Sequence, residues 1–205
     1  INSACATAAG QCSLRAAMQE AIAAGTATQI KFAIPATDPG YNTAGGYATI
    51  QVTSRLPFMT SGNIEIDGTS QSPGRSAGPK IIIDGSNLTA GNGFEISSSG
   101  NIIRGMGIIG FKSLFIELRG NGVYIDGPTA YTAGRTANNN TITQSWIGLS
   151  AAGTGSPNES YGVYVRNASN TQITNNVISS NLKAAVYINS ISAHTEATGN
   201  TIADN

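Results

Sequence analysis

The spacing of apolar residues changes once along the chain, after a short N-terminal stretch. In that stretch Leu14, Met18 and Ile22 recur every fourth position, with alanines beside them. This spacing places the three side chains in one stripe along an α-helix. The pattern predicts a helix over residues 13–24 with Ser13 as its N-cap.

The rest of the chain alternates short apolar runs with Gly, Asn, Ser and Pro, which is typical of β-strands separated by turns. We expect thirteen strands, none longer than six residues. They are predicted at residues 29–34, 49–52, 63–66, 80–83, 94–96, 101–103, 116–118, 123–125, 141–143, 163–165, 172–174, 185–188 and 201–203.

Some of these runs are copies of one another. An Asn- and Thr-rich element occurs at residues 139–147 and 170–178, more faintly at 100–108, and again at 194–202, where the alignment places it 24 residues after the second copy. A second element, Val-Tyr-Val at 163–165 and Val-Tyr-Ile at 186–188, recurs after 23 residues, and the tripeptide Ile-Asp-Gly occurs three times. A repeat of about 23 residues with two or three strands indicates a solenoid.

A solenoid stacks each strand on its equivalent in the next coil, about 4.8 Å away. The repeated Ile and Val residues are then expected to form inward columns, and Asn and Gly to occupy the bends, where φ is positive. Asn176 and Asn200 are the expected members of an amide ladder. The periodic leucines of a leucine-rich repeat and the six-residue period of a left-handed hexapeptide helix are both missing.

The two ends of the predicted solenoid differ. The helix at residues 13–24 is suited to cover the first coil, whose strand edges would otherwise be open. The last residues, Gly199-Asn-Thr-Ile-Ala-Asp-Asn205, fall inside a repeat copy with no cap. We therefore expect one domain over 1–205, with a closed segment and capping helix in 1–28 and coils in 29–205.

Several segments resemble one group of proteins. Cys12-Ser-Leu-Arg-Ala-Ala-Met-Gln-Glu-Ala-Ile22 resembles the Cys-Ser-Leu-Arg-Glu-Ala segment that opens many bacterial secreted β-helix repeat proteins, although Ala16 replaces the glutamate. Trp146-Ile-Gly-Leu-Ser-Ala-Ala-Gly-Thr154 resembles the same group. The resemblance implies an all-β solenoid of the right-handed parallel β-helix (pectate-lyase-like) class and export to the cell surface or beyond. It implies no activity.

The composition limits the classes of binding partner that we expect. Charged residues make up 11% of the chain, and 11 Lys and Arg balance 11 Asp and Glu, so neither nucleic acid nor an anionic membrane is an expected partner. No apolar run approaches the roughly 20 residues of a membrane-spanning helix. No transmembrane segment and no cofactor are predicted, and polysaccharide is a possible partner.

The two cysteines lie close together near the N-terminus, at Cys5 and Cys12. A local disulfide is the expected arrangement, with two free structural thiols as the alternative. A disulfide would add about 2–3 kcal/mol to stability and would place the protein in an oxidising compartment. Two thiols without a nearby histidine do not make a zinc site.

Carboxylates are the candidates for catalysis. Glycoside hydrolysis requires two of them about 5–10 Å apart. The candidates are Asp67, Asp84 and Asp126 from the Ile-Asp-Gly tripeptides, with the outward-facing Glu65, Glu95 and Glu117. Aspartate before glycine is also a common turn former, and the chain carries no polygalacturonase or lyase motif. We therefore favour a turn role, and we predict no catalytic residue.

His194, the only histidine, is aligned with Asn170 and is expected at a solvated bend. No calcium-binding nonapeptide or other metal motif occurs, so no metal site is predicted.

Tyrosine supplies the most suggestive surface feature. Strand alternation is expected to direct Tyr124, Tyr164 and Tyr187 outward, with the last two on adjacent coils. The functional interpretation is an aromatic platform for sugar rings or another subunit. Ordinary stacking between coils is the alternative, and we favour it.

Two functions from different classes remain. The first is an extracellular structural or adhesive module, including a filament subunit that associates through its exposed C-terminal coil. The second is a carbohydrate-active enzyme or a glycan-binding protein. The first is favoured because no catalytic constellation is visible.

Overall fold

The computed structural model describes residues 12–114, 119–129, 136–191 and 197–205, and it is mostly β with one short helix. The helix, α1, spans Leu14–Ala24. The strands are β1 (Thr28–Lys31), β2 (Tyr41–Asn42), β3 (Tyr47–Gln51), β4 (Ile64–Asp67), β5 (Ile81–Asp84), β6 (Phe94–Ile96), β7 (Ile102–Arg104), β8 (Met106–Ile109), β9 (Val123–Asp126), β10 (Thr141–Thr143), β11 (Trp146–Ile147), β12 (Val163–Arg166), β13 (Gln172–Thr174), β14 (Val177–Ile178), β15 (Val186–Asn189) and β16 (Thr201–Ala203).

The predicted helix is confirmed, including its cap. The Ser13 hydroxyl accepts a hydrogen bond from the Ala16 backbone N–H at 3.2 Å, which satisfies one of the free N–H groups of the first turn. Gly25 ends the helix in the left-handed region, at φ 64°. The apolar stripe is buried beside β1, with Leu14 and Met18 in the core.

The strands form three sheets that the chain enters in rotation. Sheet A has the order β1-β4-β7-β10-β13-β16, sheet B β2-β3-β5-β8-β11-β14, and sheet C β6-β9-β12-β15. From β4 to β16 each strand belongs to the next sheet in the cycle A, B, C. Every pairing between named strands is parallel except that of β2 with β3. Each sheet therefore grows by one strand per turn of the cycle.

The expected apolar columns are present. Register pairs six isoleucines through the centre of sheet A. They are Ile30, Ile66, Ile103, Ile142, Ile173 and Ile202. The middle four have no exposed surface, whereas the last, on the edge strand β16, is 52% exposed. Burial along the column thus depends on a neighbour on both sides, which is a strand for the middle four and helix α1 in place of a second strand for Ile30.

One bend position before sheet A shows why the chain needs Asn and Gly there. The equivalent residues, read from the registers of sheet A, all have φ between 57° and 76°. They are Asn63, Gly100, Asn139, Asn170 and Gly199. Residues other than Gly and Asn seldom adopt this conformation, so the bend explains the composition of the repeat, as predicted.

Asparagine amides connect successive turns, but the predicted ladder pair is wrong. Asn176 donates to the Asn205 side chain at 2.8 Å, whereas Asn200 accepts from the Thr171 backbone N–H at 2.7 Å. The cause is the register: β13 pairs with β16 at a separation of 29 residues, not 24. A fully buried ladder joins Asn101 to Asn140 at 3.0 Å.

The same register corrects the alignment of the last repeat. Asn170 is equivalent to Gly199, not to His194, since Ile173 pairs with Ile202. The 31-residue step from Thr141 to Gln172 is confirmed by the pairing of β10 with β13. Strand 116–118, Cys5, Glu117 and His194 all lie outside the described residues, so the disulfide stays a prediction.

The sequence pattern does not predict most of the strands of sheet B. Strands β2, β8, β11 and β14 were not predicted. Strands β7 and β8 are separated by one residue, Gly105, at φ 66°. Because the bend takes only one residue, the segment 102–109 has no room for a loop between its two apolar parts. Two strands on different sheets therefore look like one strand and its tail.

Replacing Ile142 by alanine tests the buried column. We expect a loss of about 2–5 kcal/mol in the free energy of unfolding, because the change leaves a cavity in a fully buried site. Ile202→Ala, in the same column but half exposed, should cost under about 1 kcal/mol. Urea denaturation followed by circular dichroism measures both, and equal losses would contradict the column.

Candidate functional site

The three candidate aspartates end strands in three different sheets and are not brought together. Asp67 ends β4 in sheet A, Asp84 ends β5 in sheet B, and Asp126 ends β9 in sheet C. The shared Ile-Asp-Gly tripeptide therefore marks a strand end, and it does not mark one repeated site.

Each aspartate has a local structural partner. The Asp67 carboxylate accepts from the Thr69 backbone N–H at 3.0 Å and caps the short 3-10 helix Gly68–Ser70. Asp84 accepts from the Ser86 backbone N–H at 2.8 Å. These two contacts are the turn role that the sequence favoured. Asp126 instead forms an ion pair with Arg166, at 2.7 Å.

The two candidate glutamates that the structure describes, Glu65 and Glu95, are paired as well. Glu65, in sheet A, accepts from the Gln29 amide at 2.9 Å and lies 3.5 Å from an Arg104 nitrogen. Glu95, in sheet C, pairs with Arg55 at 2.7 Å. Glu95 and Asp126 lie on neighbouring strands, but an arginine engages each carboxylate. This arrangement favours structural ion pairs over a catalytic acid and base.

The predicted tyrosine row exists in sheet C. Register pairs Tyr124 with Tyr164 and Tyr164 with Tyr187, and the ring centroids are 5.2 and 5.1 Å apart. Tyr161, which was not predicted, joins this group by stacking on Tyr187 at 4.7 Å with an interplanar angle of 18°. We call these four residues the tyrosine cluster.

The cluster offers less open surface than an aromatic platform requires. Tyr124 and Tyr164 are each 5% exposed, while Tyr187 is 37% exposed. Tyr124 is covered by the Tyr164 ring and by Arg166, and Tyr164 is covered by the rings of Tyr124, Tyr161 and Tyr187, as in ordinary stacking between strands. The sequence does not predict a role for Tyr161, because this residue precedes β12 in a loop, where strand alternation does not indicate which way a side chain points.

Basic groups complete the cluster. The Arg166 guanidinium lies 5.5 Å from the Tyr124 ring centroid, and the Lys183 ammonium lies 5.2 Å from that of Tyr161. Cation–π contacts of this kind stabilise by about 0.5–1 kcal/mol when exposed and more when desolvated. The geometry makes the cluster a well-packed structural patch with one accessible margin at Tyr161 and Tyr187.

Burial raises the pKa of Tyr124 above its ordinary value near 10, and the neighbouring Asp126 carboxylate raises it further, against a smaller opposite effect of Arg166. The folded protein therefore holds the neutral phenol, whereas the unfolded chain releases its proton near pH 10. The resulting stability is complete below pH 10 and is lost as the pH rises above it.

This linkage predicts that the free energy of unfolding falls above pH 10 by about 1.4 kcal/mol per pH unit for this one proton. Tyr124→Phe should remove that part of the slope, because phenylalanine has no proton to lose. Urea denaturation of both proteins between pH 8 and 11 measures the difference. Parallel curves would contradict the assignment.

The last strand of each sheet forms what we call the open edge: β14 in sheet B, β15 in sheet C and β16 in sheet A. Each has a parallel neighbour on one side only in the described part of the chain. Exposed large apolar side chains concentrate there. They are Val177, Tyr187 and Ile202 on these strands, with Leu182 and Ile191 in the segments that follow β14 and β15. An unpaired strand edge with exposed apolar residues is a template for pairing with another chain.

The first strand of sheet A is protected in a different way. Helix α1 packs against β1 and buries Met18 almost completely. The Arg15 guanidinium donates to the backbone carbonyls of Ser54 and Arg55, both at 2.6 Å. The predicted position of the helix, beside the first strand, is therefore the observed one.

Among the described residues, no group of three or more His, Cys, Asp and Glu side chains is placed to hold a metal ion. In the same part of the chain, no helix has the length and apolar character needed to cross a bilayer.

Comparison with protein-family models, with curated protein sequences and with solved structures gave no significant match.

Proposed function

We propose that the chain is a right-handed parallel β-helix that serves as an extracellular structural or adhesive surface module. The rotation of the chain through sheets A, B and C, with parallel register in each, supports the β-helix. Right-handed crossovers are nearly universal between parallel strands, which supports the hand. The resemblance of residues 12–22 to the opening segment of secreted β-helix repeat proteins supports export.

The observation that carries the function is the open edge. In the part of the chain that the structure describes, each of the three sheets ends in a strand with a partner on one side only. Val177 and Ile202 on these strands, and Leu182 in the segment after β14, expose between 44% and 65% of their surface. Burying apolar surface is worth about 25 cal/mol per Å2, so covering this end would be favourable. We propose that the open edge is an assembly surface.

The occupant that we propose is a second copy, joined open edge to open edge. In the alternative head-to-tail filament, α1 would occupy the position that an incoming coil needs at β1. Displacing it would expose Leu14, Met18 and Ala21, which are buried. A two-fold pair avoids that cost, because the same surface serves both copies and the contact closes.

The positions of the carboxylates support this function over a carbohydrate-active enzyme. A glycosidase needs two carboxylates around one bond. Asp67, Asp84 and Asp126 lie in three separate sheets, and Glu95 is paired with Arg55. The observation does not favour hydrolysis as a second function.

Charged residues at the open edge should weaken the proposed association. We expect Val177→Lys combined with Ile202→Lys to weaken it at least ten-fold, since like charges would meet across a two-fold contact and lysine blocks edge pairing. Sedimentation velocity over a range of protein concentrations measures the change.

Leu114→Lys is the matched control, because Leu114 is 46% exposed and lies outside the three edge strands. It should associate like the unmodified protein. A protein that stays monomeric at every concentration, or a double variant that associates as strongly as the control, would contradict the proposal.

A further inference from the structure

An open groove of about 620 Å3 crosses the outer face of sheet B. Its floor is built from side chains of three adjacent strands, β3, β5 and β8, whose register places Thr49 beside Ile82 and Gln51 beside Asp84. Parallel strands lie about 4.8 Å apart. The floor therefore presents a regular series of polar and apolar groups along the line of stacking.

The hairpin formed by β2 and β3 makes one wall. These strands pair antiparallel, with Tyr41 opposite Ala48 and Asn42 opposite Tyr47. The Asn42 amide donates to the Tyr47 hydroxyl at 3.0 Å, which fixes the aromatic residue on the wall. Tyr41 and Tyr47 both line the groove. Tyrosine offers an apolar ring and a polar tip at the same place.

The opposite wall is the turn that carries Ser150 and Ala151. The Ser150 backbone N–H donates to the Thr154 carbonyl at 2.8 Å, and the Gly153 N–H donates back to the Ser150 carbonyl at 3.0 Å. These two hydrogen bonds close the turn on itself. The wall therefore has a defined shape without a ligand.

Arg75 ties the two walls together. Its guanidinium donates to the Ala151 carbonyl at 2.6 Å and lies 5.2 Å from the Tyr47 ring centroid and 5.4 Å from that of Trp146. The Arg75 backbone N–H donates to Gly46 in the hairpin at 2.8 Å. A groove held open in this way does not have to be ordered when a ligand binds, which favours affinity.

The chemistry of the groove fits a neutral, hydroxyl-rich ligand. Hydroxyl, amide and aromatic groups line it, no Lys, Arg or His is among the described lining residues, and Asp84 supplies its carboxylate. One Asp84 oxygen accepts from the Gln51 amide at 2.9 Å and the other from the Ser86 N–H at 2.8 Å. Each carboxylate oxygen can accept a further hydrogen bond, which a sugar hydroxyl can donate.

We infer that the sheet B groove is a binding site for a neutral polysaccharide. Its volume lies in the range of small-ligand sites, about 300–1,000 Å3, and its open ends admit a chain. A negatively charged polysaccharide would be repelled by the Asp84 carboxylate, because no lysine or arginine among the described lining residues offsets that charge. The inference rests on the proposed function, since it gives the adhesive role a ligand, but it uses a different surface from the open edge.

The test is affinity electrophoresis of the full chain in gels containing hydroxyethylcellulose, glucomannan or arabinoxylan, with polygalacturonate as the anionic comparison. At least one neutral polysaccharide should retard the protein more than polygalacturonate does. Ala151→Trp, which fills the groove from its wall, should weaken that binding at least ten-fold. Ala152→Trp is the matched control, because Ala152 is the next residue, is exposed and does not line the groove.

A second pair of variants distinguishes a loss of binding from a loss of folding. Asp84→Asn keeps the shape but removes the charge that strengthens hydrogen bonds from sugar hydroxyls, so it should also weaken binding about ten-fold. Asp67→Asn is its control, because Asp67 has the same turn role in sheet A. No retardation by any neutral polysaccharide, or equal retardation of the groove variants and their controls, would overturn the inference. Sedimentation velocity of the same variants reports separately on the open edge.

Discussion

The fold depends on one constraint, which is that parallel register must repeat from turn to turn in all three sheets at once. Ile103, Ile142 and Ile173 are completely buried because each has an isoleucine directly before and after it in the column. Register also aligns the Asn101 and Asn140 side chains for their hydrogen bond. A slip by one residue would reverse every side chain in a strand, so the apolar column and the amide ladder stabilise the same arrangement.

This constraint explains why both proposed surfaces lie where they do. Stacking protects every strand that has two neighbours and leaves the last strand of each sheet incomplete, which creates the open edge around Val177 and Ile202. On the outer faces, stacking arranges the outward side chains of successive strands in rows. In sheet C the row contains tyrosines that pack together, and in sheet B the β2–β3 hairpin and the turn at Ser150 and Ala151 enclose the row and form a groove.

Sequence alone predicted the helix, the strands of sheets A and C and the inward columns, because each depends on a local pattern. Register of the last repeat was misjudged, since the copies 170–178 and 194–202 match better by residue type than the true partners do. The groove could not be predicted: Arg75 and Ala151 are 76 residues apart, and the loops that carry them have no repeat. Tyr161 could not be predicted either, because it lies in a loop before β12, where strand alternation gives no direction.

Hydrogen–deuterium exchange tests the central claim, that stacking protects the interior strands and leaves β14, β15 and β16 to be covered by a second copy. Amides of β10 and β12 should exchange slowly at every protein concentration, because each strand is paired on both sides. Amides of the open edge should exchange fast in dilute solution and more slowly as the concentration rises. Exchange at the open edge that is slow when dilute, or that does not depend on concentration, would contradict the account.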